Sequence, residues 1–350
     1  MKGEEVTFRS HGAESFEMAS YLLHRLAGTI PVLLLISLLV FLLIHAAPGD
    51  PTLMLLGEET NAAEVAKAKE RWGLDQPLYI QYWRFLKSAA SGDFGKSFKY
   101  AEPVINVIKT RLPATIELAI FAIIIATLLA IPLGVWAGAR PNSWIDNLGT
   151  TCGLFGISMP SFWLAIMLIL LLAGVLNILP TSGRSTYGIA GPEQTGFYIL
   201  DSVMQRNWPA IWDALTHLFL PALALGVNML GILMRVTRSS ILEVMNEDFI
   251  RTARAKGLRE NNVVWRHVTS NALIPVITVV GLELGTLLSG SIIVETVFAW
   301  PGGGSLLITA LNARDYPLVT GLVMTYTMAF VMINLIIDGL YAVIDPRIRY

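Results

Sequence analysis

One cysteine stands in the 350 residues, Cys152, and it lies inside an apolar run. No disulfide framework can form within the chain, and a thiol metal site lacks ligands. The five histidines (His11, His24, His45, His217, His267) are scattered, with no pair at metal-ligand spacing, so the chain does not read as a metalloenzyme. Charge is scarce as well. Only 15% of residues are Asp, Glu, Lys or Arg, against about 25% in ordinary soluble domains. The net charge of -1 points to no partner of opposite sign, and no nucleic-acid partner is expected. What is abundant is apolar sequence: 54% of residues are hydrophobic, and mean hydropathy is +0.59. These residues fall in long uncharged runs, which implies a bilayer as the solvent.

Six runs are long enough to cross roughly 30 Å of hydrocarbon at about 20 residues each. They cover approximately 26–47, 114–138, 148–176, 215–236, 273–298 and 318–344. The expected fold is an all-α membrane protein with six transmembrane helices. Pro132, Pro160, Pro221 and Pro275 lie in or at the ends of these runs. Spanning helices tolerate proline when neighbours satisfy the freed carbonyls, so a packed and kinked bundle is expected. The first run is longer than the roughly 7–15 apolar residues of a secretory signal. It leads into Pro48-Gly49-Asp50-Pro51 and reads as a retained span.

Orientation follows from Lys and Arg in short loops. Between the fourth and fifth runs stand Arg235, Arg238, Arg251, Arg254, Lys256, Arg259 and Arg266, whereas 177–214 has only Arg184 and Arg206. Both termini and the basic loop are therefore expected in the cytoplasm, with the chain multi-pass in its membrane. The expected organisation is a cytoplasmic tail at 1–21, a first transmembrane helix at 22–47 and an extracytoplasmic region at 48–113. A five-helix core follows at 114–344, with a cytoplasmic loop at 237–271, and then a short cytoplasmic tail at 345–350. The basic 48–113 region conflicts with the charge rule, but it exceeds the loop length over which that rule holds. Within it, Ala62 to Trp72 and Pro77 to Leu86 read as helices, the second with a Tyr79, Tyr82, Trp83 face, and Asp93-Phe94-Gly95 marks a turn. Ala90 to Ser97 resembles a phosphate-binding loop. It follows a helical stretch where that motif needs a strand, so the nucleotide reading is rejected.

The 235–272 loop carries the most information. Asp248 suits a helix N-cap, Arg251 to Lys256 are mostly good helix formers, and Gly257 suits the stop. A second amphipathic stretch, Val263 to Val268, leads into the fifth run. Small residues at Thr252, Ala253 and Ala255 leave room for another surface. A basic loop on anionic lipid headgroups is the alternative reading.

That loop resembles the signature loop of the membrane subunits of ABC importers. The family's Glu-Ala-Ala falls on Arg251, Thr252 and Ala253, and its glycine on Gly257. The missing glutamate and the late Pro275 fit the dipeptide/oligopeptide branch. The likeness extends through Gly73-Leu74-Asp75-Gln76-Pro77-Leu78-Tyr79, Gly92-Asp93-Phe94-Gly95 and Arg111-Leu112-Pro113-Ala114-Thr115-Ile116-Glu117-Leu118. It continues through Ser158-Met159-Pro160-Ser161-Phe162-Trp163, Leu220-Pro221-Ala222-Leu223, Glu295-Thr296-Val297-Phe298-Ala299-Trp300-Pro301-Gly302 and Asp345-Pro346-Arg347-Ile348-Arg349. The long region after the first span resembles the first of that branch's two permeases.

The resemblance implies a type I ABC importer membrane domain, set in a bacterial inner membrane and without catalysis of its own. Its partners would be a homologous second permease, two cytoplasmic ATPase subunits and an extracytoplasmic solute-binding protein, with membrane lipid around it. Mg-ATP would be bound by the ATPase subunits, and no cofactor by this chain. The ATPase-coupling loop would comprise Phe249, Arg251, Thr252, Ala253, Arg254, Ala255, Lys256 and Gly257. The branch includes importers of dipeptides, oligopeptides, glutathione, nickel complexes, opines and sugars.

An ionisable side chain inside a span is a functional candidate by default. Glu283 and Asn228 are the candidates for a translocation path. Helix-to-helix bonding is the competing role for both. Asp338 and Glu117 lie nearer the ends of their runs and can snorkel or pair. Gly281, Gly285, Gly290, Ser289 and Ser291 give the fifth run a small-residue surface for close packing. An ion-gradient-driven carrier using Glu283 is the alternative function, although the repeated halves usual for one are not seen.

Overall fold

The computed structural model describes residues 28–42, 45–46, 75–186, 188–189 and 194–344. The expected tails at 1–21 and 345–350, the Pro48-Pro51 turn and the Ala62–Trp72 helix lie outside the described residues. Among those described the architecture is helical, with one isolated antiparallel bridge between Lys96 and Pro103. The helices are α1 (Gly28–Leu42), α2 (Leu78–Ala90), α3 (Val104–Ala139), α4 (Trp144–Ser158), α5 (Ser161–Leu168) and α6 (Tyr198–Met204). They continue with α7 (Trp208–Val244), α8 (Asp248–Ala255), α9 (Thr269–Val297), α10 (Gly303–Asn312) and α11 (Tyr316–Ile344). A wide π-turn stretch, Ile169–Val175, prolongs α5, and another, Val263–Val268, leads into α9.

Among the described residues four helices are long and apolar enough to span, and the α4–α5 pair makes a fifth. The kink expected at Pro160 is a sharp one: within the 148–176 run, α4 and the α5 segment bend by 105°. The break falls at Met159, which takes an extended conformation (ψ 129°) ahead of Pro160. The ring of a proline disfavours helical geometry in the residue before it, so the chain turns there. The expected spans at 114–138, 215–236, 273–298 and 318–344 coincide with α3, α7, α9 and α11, of which α3 and α7 overrun theirs at both ends, whereas α1 as described, Gly28–Leu42, is shorter than a full span. Hydropathy locates the stretch suited to lipid, and a helix continues beyond it wherever capping allows. Asn207, for instance, caps α7 by accepting from the Ala210 amide at 3.2 Å.

The centre of the bundle is α7. Of its most apolar window, 67% is buried, against 39% for α3 and 22% for α11. Its largest contact is with α3, through Ala119, Ala122, Ala126, Ala130, Ala137 and Gly134 on the α3 side. Lipid tails are as apolar as leucine, so helices in a bilayer associate through close packing and not by expelling water. Small side chains make that approach possible. A Cβ on Gly134 would lie 2.6 Å from the Thr237 Cβ, and one on Gly231 would lie 2.4 Å from the Gly153 carbonyl oxygen of α4. The small-residue surface of α9 packs within the chain: Gly281 faces Ile337 and Gly285 faces Phe330, both on α11.

Helix α2 lies against α1. The Tyr82 and Ser37 hydroxyls are 2.9 Å apart, and Phe41 meets Tyr82 and Phe85. The expected single aromatic face is therefore split. Tyr82 turns inward, while Tyr79 and Trp83, one helical turn apart, stay exposed. The glycine-containing segment after α2 turns through Gly92 and Gly95, both at positive φ, and enters the bridge to Pro103.

Candidate functional site

Helix α7 ends in a turn at Met245 and Asn246, and α8 begins behind Glu247. The N-cap is Glu247, one residue before the expected Asp248, and it makes no side-chain capping bond. Asp248 instead occupies the first turn, where its charge suits the helix dipole, and accepts from Arg251 at 3.4 Å. At the other end Lys256 is the C-cap and Gly257 follows at φ +76°. That left-handed conformation is open to glycine and costly to a side chain, so Gly257 fixes the stop.

The apolar residues of α8 fall on one side. Ile250 is fully buried and Ala253 nearly so, packed into a cluster of Val135, Ile241, Val263, Val264, Val268 and Ala272. Residues three apart share a helix face, so this pair seats α8 on the ends of α3, α7 and α9. The expectation that Ala253 offers room to an outside surface is corrected: its side chain faces the bundle. Phe249, Arg251, Thr252, Ala255, Lys256 and Gly257 are exposed. Arg254 reaches across the turn, donating to Glu260 at 2.7 Å and 3.2 Å. The Glu260 hydrogen bond raises the Arg254 pKa above its ordinary value, against the opposing effect of burial. Lys256, Arg259 and Arg266 have no acidic partner among the described residues. The outward face is thus polar, basic and centred on one exposed aromatic ring.

The two path candidates lie on adjacent helices. Asn228 is exposed on α7, and Glu283 is half-buried on α9. Glu283 Oε2 accepts from the Thr286 hydroxyl at 2.9 Å, within its own helix. No hydrogen bond joins Asn228 to Glu283. Neither is paired with a charged group among the described residues.

The opposite end of the bundle holds a polar network that spacing did not announce. Glu117, expected near a boundary, pairs with Arg184 at 2.6 Å, with both side chains buried. Glu117 also accepts from the Ile199 amide at 2.8 Å, while Arg184 donates to the Gly196 carbonyl at 2.8 Å. The Arg184 guanidinium stands over the rings of Tyr198 and Trp300. Glu295, fully buried on α9, accepts from the Thr115 hydroxyl at 2.7 Å, the Ser291 hydroxyl at 3.0 Å and the Ser305 amide at 3.0 Å. A Cβ on Gly302 would stand 2.4 Å from Glu295 Oε2, so glycine is what lets the chain close over this carboxylate. The 177–207 loop is tied down further by Asp201. Burial raises its pKa, but hydrogen bonds from Thr195, Gln194 and Gly196 hold it below the usual carboxylate value. Some of these partners are near neighbours in sequence, but Glu117 and Arg184 stand 67 residues apart, and Thr115 and Glu295 180. The quoted stretches Arg111 to Leu118 and Glu295 to Gly302 marked parts of the network, without pairing them.

Comparison with known proteins gives a consistent result. Residues 130–350 match the family described as binding-protein-dependent transport system inner membrane component. Residues 18–119 match the N-terminal part of the membrane component of such systems. The chain is 42% identical over 333 residues to the dipeptide transport system permease protein of Alkalihalophilus pseudofirmus, covering 95% of this chain and 100% of that one. It is 43% identical over 330 residues to a probable D,D-dipeptide transport system permease protein of Escherichia coli K12, covering 94% and 97%. It is 40% identical over 333 residues to a glutathione transport system permease protein of Salmonella paratyphi A, covering 95% and 100%.

Proposed function

Because the chain belongs to the binding-protein-dependent transport system inner membrane component family, we propose that it forms half of the pore of an ATP-driven importer. The solutes would be dipeptides or chemically related small peptides, since the relatives include permeases for dipeptides and for glutathione. The second half of the pore would be a homologous permease. Two ATPase subunits binding Mg-ATP would dock on the α8 side, and a solute-binding protein would deliver cargo at the other. In this reading the chain crosses the membrane six times, α1 providing the first crossing, with both termini and α8 in the cytoplasm. It binds no nucleotide itself.

The observation that carries the proposal is the two-sidedness of α8. Its inner face is seated by Ile250 and Ala253, and its outer face presents Phe249, Arg251, Thr252 and Lys256. A helix held on one side and free on the other transmits a push into α7 and α9. Closure of the ATPase pair would then move packed helices between two arrangements, as in rigid-body switching. Asn228 and Glu283 would line the path, at the face left open toward the second permease.

The test is a photo-crosslinker placed at Thr252 in cells expressing the whole system. Capture of an ATPase subunit, together with uptake that follows ATP, is expected. Capture of lipid alone, with uptake by the lone chain under a proton gradient, would replace this reading with an ion-driven carrier using Glu283.

A further inference from the structure

Between α4 and α7, at the α8 end of the bundle, lies a slot of about 120 Å³. Its wall is made by Gly149, Thr150, Gly153, Leu154, Gly231 and Met234, with Arg235 and Arg238 beside it. Arg235 lies one helical turn beyond Gly231 on α7, roughly 6 Å nearer the helix end at 1.5 Å per residue. The lining of the slot is apolar, with Gly153, Leu154 and Gly231 at one end and the stems of Arg235 and Arg238 bordering the other. Trp136 and Trp144 are exposed at the same end of the bundle, as side chains at a membrane–water boundary are.

Charge at the mouth is unbalanced. Arg238 is committed to Asp146, which it contacts through Nε and, at 2.8 Å, through Nη2. Asp146 is further occupied by the Asn142 amide at 2.9 Å and the Thr150 hydroxyl at 3.3 Å. Arg238 is therefore neutralised by its carboxylate, while exposed Arg235 has no acidic partner among the described residues. Basic pockets between membrane helices take anionic headgroups. The volume is of the order of the apolar cavity of about 150 Å³ that accepts a benzene-sized guest. It admits a stretch of acyl chain and is too small for a peptide.

We propose that this slot holds one anionic phospholipid, its phosphate on Arg235 and part of one acyl chain between α4 and α7. The site needs only a membrane-embedded chain, and stands or falls apart from the ATPase reading. It would place a lipid beside the Gly153–Gly231 contact, where α4 and α7 touch backbone to backbone.

The test measures lipid by mass spectrometry on the protein, with whatever subunits accompany it, purified from native membrane in mild detergent. Arg235→Gln is compared with wild type and with Arg84→Gln, an equal loss of charge on exposed α2. Phosphatidylglycerol or cardiolipin is expected on wild type and on Arg84→Gln. Arg235→Gln should carry about fivefold less, the effect of one basic side chain at an anionic surface. Leu154→Trp should displace the chain too. If that variant does not assemble, a photo-crosslinker at Thr150 replaces it, with phospholipid as the expected adduct. Equal anionic lipid on Arg235→Gln, no anionic lipid on wild type, or a crosslink from Thr150 to a second permease would each overturn the proposal.

Discussion

The two ends of this bundle handle charge in opposite ways. At the far end, Glu117, Arg184 and Glu295 are buried and hydrogen-bonded to groups of the same chain, with Arg184 Nε alone of that guanidinium left buried and without a partner. At the α8 end, Arg251 and Lys256 project outward, and the helix carrying them is held by two apolar side chains. Charge turned inward fixes one arrangement, because any movement leaves a buried polar group without its partner. Charge turned outward leaves the arrangement free to be chosen by whatever docks there. The same bundle thus has a fixed end and an addressable end.

The contrast is tested most severely at the fixed end. Replacing Glu117 with alanine strands the Arg184 guanidinium, and breaking a buried pair costs about 3–5 kcal/mol. Thermal unfolding and membrane yield should both drop sharply, while Arg184→Met combined with Glu117→Met should recover much of the loss. At the addressable end Ile250→Ala removes a fully buried side chain, a change worth about 2–5 kcal/mol in a rigid core. The lower part of that range is expected because α8 alone can loosen. Amide exchange should rise across 248–257 with little change at Glu295.

Asp201→Ala leaves the Gln194, Thr195 and Gly196 amides without their acceptor. Gln194 and Thr195 are exposed, so water can replace part of what is lost, and the cost is about 1 kcal/mol. The same contact sets a pH dependence. The Asp201 pKa lies below its unfolded value, so its stabilisation is complete above the ordinary carboxylate range of about 3.9. It is lost as pH falls through the lower folded value. Protection of the 194–196 amides should therefore persist well into acid and fail only below that range. The smallest effect belongs to Arg254→Gln. An exposed ion pair contributes about 0–1 kcal/mol, so global unfolding should barely move. A large shift there would show that α8 is part of the fixed framework after all.

Much of this architecture was legible in the sequence. Long uncharged runs locate α3, α7, α9 and α11, because a bilayer demands length and apolarity together. Gly257 marked the end of α8, because a left-handed residue there needs glycine. The bend at Met159-Pro160 was hidden from hydropathy, which records what a segment is made of and not where it points. The direction of Ala253 was hidden likewise: small size is compatible with either face, and only its spacing from Ile250 decides. Arg184 and Glu117 stand 67 positions apart, and nothing local in either stretch declares the other.

Helix α9 begins beside α8 and finishes at Val297, just past Glu295, where donors from Thr115 and Ser305 and the close approach of Gly302 hold its tip. Its 29 residues make a rod roughly 43 Å long at 1.5 Å per residue. A rod clamped at one tip swings about the clamp, so travel grows with distance from Glu295 and is greatest where α8 rests. Half-buried Glu283, twelve residues from the clamp, would move less than the base of the helix. A stroke delivered at α8 would reach it geared down.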